Sequence, residues 1–214
     1  MLALPYKRFC YKFDGDLVVN GSPILLSSPY DARPSSEAID GDTGTAVWDA
    51  AILLAKFLEE NADLVQGKRV LEMGCGLGLC GIACTRLGSQ HVTFTDMEYI
   101  LPTTRMNIFH NHIESVSSVT SLDWFLPKEA KIDWKSVDVV IATDVVWLDN
   151  LIDPLINTLR FACECNPNLI VLLSNQRRSN QISESFLSNA RATFNVECRL
   201  IDGNLEIHQL TVIV

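Results

Sequence analysis

The stretch VLEMGCGLGLCG, Val70 to Gly81, decides the fold. Its first four residues are apolar apart from Glu72, as a strand covered on both faces requires. Glycines then stand at 74, 76 and 78, and an apolar segment with the period of a helix follows as far as Gly88. A strand that runs through a glycine loop into a helix presents unpaired backbone N–H groups at the helix start. Glycine lets that backbone turn sharply and come close to a ligand. In open α/β sheets ligands sit at the carboxyl ends of the strands, near the switch point of the sheet.

The loop has two cofactor readings. Gly76-x-Gly78-x-x-Gly81 matches the dinucleotide pattern, and Asp96 stands 20 residues after Gly76, where a ribose-binding acid belongs. That reading is a nicotinamide oxidoreductase. Against it, Glu72 lies inside the strand, and none of the four tyrosines has a lysine four places on.

Outward from the loop, strand and helix patterns alternate. Strands are predicted over 68–74, 91–96, 116–124, 137–144 and 168–175, and helices over 77–88, 97–112, 151–165 and 181–194. Pro102 is expected near the start of its helix. An earlier helix over 45–61 carries Val47, Ala51, Leu54 and Leu58 on one face. Two consecutive strands, 195–201 and 205–214, close the chain. Alternation implies a mostly parallel sheet with helices on both faces, and the closing hairpin brings the last strand in antiparallel. The predicted class is a Rossmann-like α/β fold, residues 45–214, behind an N-terminal extension of small strands and a loop, residues 1–44. The polar stretch 27–44 is the one long irregular segment.

Composition sets bounds. The chain has 214 residues, 48% of them hydrophobic, enough for a substantial core. A net charge of -9 argues against nucleic acid as a partner. Arg177 and Arg178 in "QRRS" form the one basic candidate and read as a solvated loop. No segment approaches the roughly 20 apolar residues of a membrane helix, and the N-terminus lacks the apolar core of a leader. The seven cysteines are odd in number and sit mostly in apolar segments, as reduced thiols do. The expected compartment is the cytoplasm, with the nucleus also open to it. His110 and His112 point to different faces of a helix, so no metal site is expected.

The stretch "IATDVVWLDN", residues 141–150, ends a buried strand on the carboxylate of Asp144. A buried carboxylate is costly unless it is paired or works near solvent.

"LEMGCGLG" resembles the acidic-x-Gly-x-Gly-x-Gly loop of S-adenosylmethionine-dependent methyltransferases of the seven-strand class, whose seventh strand is inserted antiparallel. "AVWDAAILLAKFLEEN", "FTDMEYILPTTRMNI", "LDW" and "IATDVVW" follow the order seen in the family 16 protein methyltransferases. Most members of that family modify lysine side chains of chaperones, elongation factors and AAA ATPases. The resemblance covers roughly residues 40 to 175. It implies S-adenosylmethionine as cofactor, a protein substrate of one of those classes, and methyl transfer to a lysine amine; a monomer is expected.

The resemblance also implies roles. Trp48 covers the methionyl end of the cofactor, with Glu72, Gly74, Cys75 and Gly76 lining that end. Asp96 accepts hydrogen bonds from the ribose, and Met97 lies against the adenine. Asp123 and Trp124 supply further adenine contacts, and Ala142 lies under the cofactor. Asp144 captures the incoming ammonium at the substrate mouth. Trp147 is an aromatic wall where the family carries tyrosine in Asp-x-x-Tyr. Alternatives are a histidine, arginine or small-molecule acceptor, or a cofactor-binding protein without transferase activity.

Overall fold

The computed structural model describes residues 17–27 and 43–213. The expected leader-free N-terminus and most of the 27–44 loop lie outside the described residues. A small antiparallel hairpin, β1 (Val18–Val19) and β2 (Ser22–Pro23), comes first. Then follow α1 (Asp49–Glu60), β3 (Arg69–Met73), α2 (Leu79–Arg86), β4 (His91–Asp96), α3 (Leu101–His110) and β5 (Ser117–Ser121). The second half holds β6 (Val139–Thr143), α4 (Asp149–Cys165), β7 (Ile170–Gln176), α5 (Asn180–Arg191), β8 (Phe194–Asp202) and β9 (Leu205–Val212).

Seven strands form one sheet in the order β5-β4-β3-β6-β7-β9-β8. β3 is parallel to both β4 and β6, and β6 is parallel to β7. β9, the last strand, enters antiparallel between β7 and β8. The chain winds outward from β3 through β4 to β5, then crosses back to lay β6 on the other side of β3. That reversal is the switch point, and it opens a crevice at the carboxyl ends of β3 and β6.

Strand side chains alternate between two cores. Val70, Phe94, Val139 and Ile141 pack with α1, α2 and α3, and Leu17, Val19, Ile24 and Leu26 of the N-terminal segment share this core. Leu71, Met73, Val140 and Ala142 pack on the opposite face with α4 and α5. A sheet covered twice needs apolar residues at nearly every strand position, hence runs such as Val139-Val140-Ile141-Ala142.

Several boundaries differ from the sequence expectation, and three of them bear on the crevice. Residues 43–45 make a 3-10 turn, and Trp48 is the extended N-cap of α1 rather than a helical residue. α3 begins at Leu101, four residues late, with Pro102 in the first turn. There the missing N–H costs nothing, whereas further in it would interrupt the ladder. β5 ends at Ser121, leaving Leu122-Asp123-Trp124 in a loop over the crevice.

Candidate active site

The crevice is a cavity of about 520 Å³ bordered by the loops after β3, β4, β5 and β6 and by the start of α1. Its glycine loop is held in one shape. Gly74 and Gly76 have φ of +63° and +51°, the left-handed region open to glycine. The N–H of Gly76 donates to Asp96 Oδ2 at 2.8 Å, and its carbonyl accepts from Thr104 Oγ1 at 2.8 Å. A Cβ built at Gly76 would stand 2.9 Å from the carbonyl oxygen of Gly44, so the two backbones touch with no room between them.

Asp96 closes β4 at the cavity edge, and its Oδ1 accepts from the N–H of Met97 at 2.7 Å. A carboxylate accepts from hydroxyl groups, and this one lines the cavity. Met97 lines the cavity with a half-exposed side chain. Asp123 and Trp124 also line it. Asp123 Oδ1 caps the N–H of Phe125 at 2.9 Å, and Thr158 of α4 donates to the carbonyl of Trp124 at 3.0 Å. These bonds fix a loop that periodicity alone reads as strand.

Glu72 lies beneath the glycine loop with only 2% of its surface exposed. Its Oε2 accepts from the N–H of Gly81 at 2.9 Å, in the first turn of α2. Burial pushes its carboxyl up to about 8; the Gly81 bond opposes this and the charge of Asp96 adds to it. Cys75 is buried beside it, and burial holds its thiol well above the usual thiol range.

Past β6 the structure departs from the expected picture twice. Ala142 does not border the cavity: it packs in the α4/α5 core beside Met73, its partner in register, and Thr143 lines the cavity instead. Strand alternation is the reason, because neighbours in β6 face opposite sides. The second departure concerns Asp144. It has φ of +53°, its N–H donates to Ser174 at 2.8 Å, and its side chain is 4% exposed. Its carboxylate is already paired. Arg178 Nη1 meets Oδ1 at 3.0 Å, Nη2 meets Oδ2 at 3.1 Å, and the N–H of Gln176 donates to Oδ1 at 2.8 Å.

Arg178 is therefore no solvated loop residue. It stands two residues beyond β7, the strand beside β6, and its guanidinium lies 4.9 Å from the centre of the Trp48 ring. Arg177 is also engaged, 3.3 Å from Glu206. Trp48, Asp144 and Arg178 meet at one end of the cavity, with Trp147, 41% exposed, bordering it as well. Of the residues expected at the site, the structure brings all but Ala142 to the cavity. Among the residues it adds are Thr143, Val145 and Arg178. The available signal for Arg178 was its position just past a central parallel strand.

A seven-strand sheet with one antiparallel insertion, and an acid-locked glycine loop at its switch point, defines the class of Rossmann-like methyltransferases. Solved structures agree at the level of fold. TrmN from Thermus thermophilus superimposes with a TM-score of 0.59 at 22% identity, covering 77% of this chain and 52% of that one. A putative RNA methyltransferase from Pyrococcus horikoshii gives 0.59 at 16% identity, covering 78% and 84%.

Sequence comparison is more specific. The family 16 profile, described as lysine methyltransferase, matches residues 34–193, and the chain belongs to that family. Protein N-lysine methyltransferase METTL21A of Xenopus tropicalis is 31% identical over 76% of this chain and 74% of its own. EEF1A lysine methyltransferase 3 of the same organism is 33% identical, over 67% and 62%. Protein-lysine N-methyltransferase EFM3 of Chaetomium thermophilum is 31% identical over 69% of this chain, which spans about half of that relative, 47%.

Proposed function

We propose that this chain transfers a methyl group from S-adenosylmethionine to the ε-amine of a lysine in a protein. The observation that carries the reading is the convergence, in one cavity, of the Gly76–Asp96 lock and the Asp144–Trp147 segment. The cavity fits the cofactor: the glycine loop is a cradle a side chain would fill, and the Asp96 carboxylate lines the same cavity. Glu72, Gly74, Cys75 and Gly76 would hold the methionyl end with Trp48, Asp96 the ribose, and Met97, Asp123 and Trp124 the adenine. When bound, S-adenosylmethionine supplies the electrophilic methyl group, so the protein need supply only position and field.

The chain's own residues do the rest. Trp48, Trp124 and Trp147 wall the cavity against water, and flat aromatic faces favour a cationic side chain at the rim. The acceptor amine must be neutral to attack; a lysine is protonated at neutral pH, with an ordinary pKa of about 10.4. Relatives carry protein N-lysine methyltransferase and EEF1A lysine methyltransferase as names. They support a protein substrate for this chain; we further propose that it is of the translation-factor, chaperone or AAA ATPase class and that the chain acts as a monomer in the cytoplasm or nucleus.

The test is incubation of the purified chain and methyl-labelled cofactor with heat-treated lysate, followed by mass spectrometry of labelled bands. The expected product is N-methyllysine in a discrete protein. Label on histidine or arginine would move the acceptor class, and binding of the cofactor without any label would make the chain a non-catalytic module.

A further inference from the structure

Asp144 was expected to wait as a bare carboxylate for the substrate's ammonium, yet this chain supplies its own cation. Arg178 engages both carboxylate oxygens, at 3.0 and 3.1 Å, and its planar face lies over Trp48 at 4.9 Å. A third donor, the N–H of Gln176, also meets Oδ1. The pair is anchored from two directions: Asp144 by its bond to Ser174 on β7, and Arg178 by the strand end that leads into α5.

A lysine ammonium is a poor competitor for this position. A bidentate guanidinium matches a carboxylate with two parallel charge-assisted bonds and stacks on an aromatic ring, whereas an ammonium is a compact, strongly hydrated point charge. Displacing Arg178 would leave its charge partly buried, since its side chain is only 30% exposed. The pairing is also chemically useful. A lone buried carboxylate at the acceptor position would hold lysine as the unreactive ammonium. A carboxylate already neutralised by arginine keeps an acceptor lone pair without the net charge that stabilises the ammonium.

Resting on the proposed lysine-methyltransferase reading, we infer that Arg178 is a positioning residue: the Asp144–Arg178 pair receives the acceptor lysine as the neutral amine, and Arg178 stays in place during turnover. Asp144 offers the amine N–H an oxygen to aim it, and the amine leaves its proton to solvent before it enters. The other ionisable groups lining the cavity are Glu72, Cys75, Asp96, Tyr99 and Asp123, and Asp49 follows Trp48 in the first turn of α1. Asp149 stands at the start of α4. Arg177, Glu206 and His208 are paired among themselves, at 3.3 and 3.0 Å.

Two measurements on the full chain test this. In the first, n-butylamine, the side-chain analogue of lysine, is titrated at neutral pH into the chain with S-adenosylhomocysteine, and followed by NMR. Arg178→Gln frees Asp144 and is expected to bind the butylammonium at least tenfold more tightly than the native chain. Adding Asp144→Asn to that variant removes the gain. Equal affinity in native chain and R178Q, with the Arg178 guanidinium signals released by the amine, would make Arg178 a displaceable plug and overturn the inference.

The second is the pH profile of N-methyllysine formation in heat-treated lysate. R178Q is expected to lose about tenfold in rate near neutral pH and to recover toward the native rate in alkali, with R178K intermediate. A loss equal at every pH marks a purely structural role and overturns the inference alone. No N-methyllysine from the native chain at any pH removes the proposed function, and the inference with it.

Discussion

Arg178 and Asp144 form a two-pronged ion pair across the ends of neighbouring strands, with contacts of 3.0 and 3.1 Å. It ties the segment after β6 to the segment after β7 at the mouth of the cavity, so a change in either partner acts on stability and on chemistry together. Asp144→Ala leaves the Arg178 guanidinium without its partner and the Gln176 N–H without its acceptor, and puts alanine at a left-handed φ of +53°. The expected cost is about 2 kcal/mol, below that of breaking a fully buried pair because the Arg178 side chain is already 30% exposed. Methyl transfer should fall at least a hundredfold while S-adenosylmethionine still binds, measured by turnover and calorimetry. An Asp144→Ala chain with normal turnover would remove the aiming role.

Gly76→Ala tests the cradle. Its Cβ would stand 2.9 Å from a backbone oxygen, that of Gly44, at a φ of +51°, so the loop itself has to shift. A loss of about 1 to 3 kcal/mol is expected, with cofactor affinity down at least tenfold. Gly203→Ala is the control. It sits at φ of +61° between β8 and β9 with nothing within 4 Å of its Cβ, so it strains the backbone without touching the site. Equal losses of cofactor binding in both variants would mean the Gly76 effect is one of global stability.

The fold was legible because its signals are local. β4 runs over His91–Asp96 as the alternating pattern has it, and the closing hairpin predicts the antiparallel insertion of β9. The errors came from tertiary contacts. A run of small and apolar residues in β6 does not reveal which face each one takes, and the resemblance puts Ala142 under the cofactor where the structure has Thr143 at the cavity. Arg178 was missed because its role depends on a partner 34 residues earlier, brought near by sheet order and not by spacing. The bare carboxylate at Asp144 was half legible: its need for a cation could be read, but not the source of that cation.

Trp147 replaces the family tyrosine and borders the cavity with 41% of its surface exposed. Exposure limits what it contributes to the core, so Trp147→Ala should change stability by less than about 1 kcal/mol. Its effect should fall on kcat, by tenfold or more, through loss of the aromatic wall. Trp147→Tyr should keep most of the activity, since a flat face remains. Thermal unfolding and methyl-transfer rates on the three proteins separate the two effects. If Trp147→Ala turns over at the native rate, the wall is dispensable and substrate selection lies elsewhere on the rim.

Glu72 makes stability depend on pH in a direction opposite to that of most carboxylates. Burial raises its carboxyl in the folded chain to about 8, against an ordinary value of 4.5. Between these two values the folded chain holds a proton that the unfolded chain has released, so folding stability falls as pH rises. The contribution is complete below about pH 4.5 and is lost progressively until the folded carboxyl titrates near 8. His91, lowered by burial and by Arg69, works the other way near neutrality, because there it is the unfolded chain that binds the proton. Glu59, held down by the Asn20 N–H and by Lys56, acts only at acid pH. The difference between native chain and Glu72→Gln isolates Glu72, since both other groups cancel and the amide oxygen can still accept from Gly81. That difference in Tm should shift steadily in favour of the variant from pH 5 to pH 8 and then level off. A difference that stays flat across this range would show that Glu72 ionises at its ordinary value, with water reaching it beneath the glycine loop.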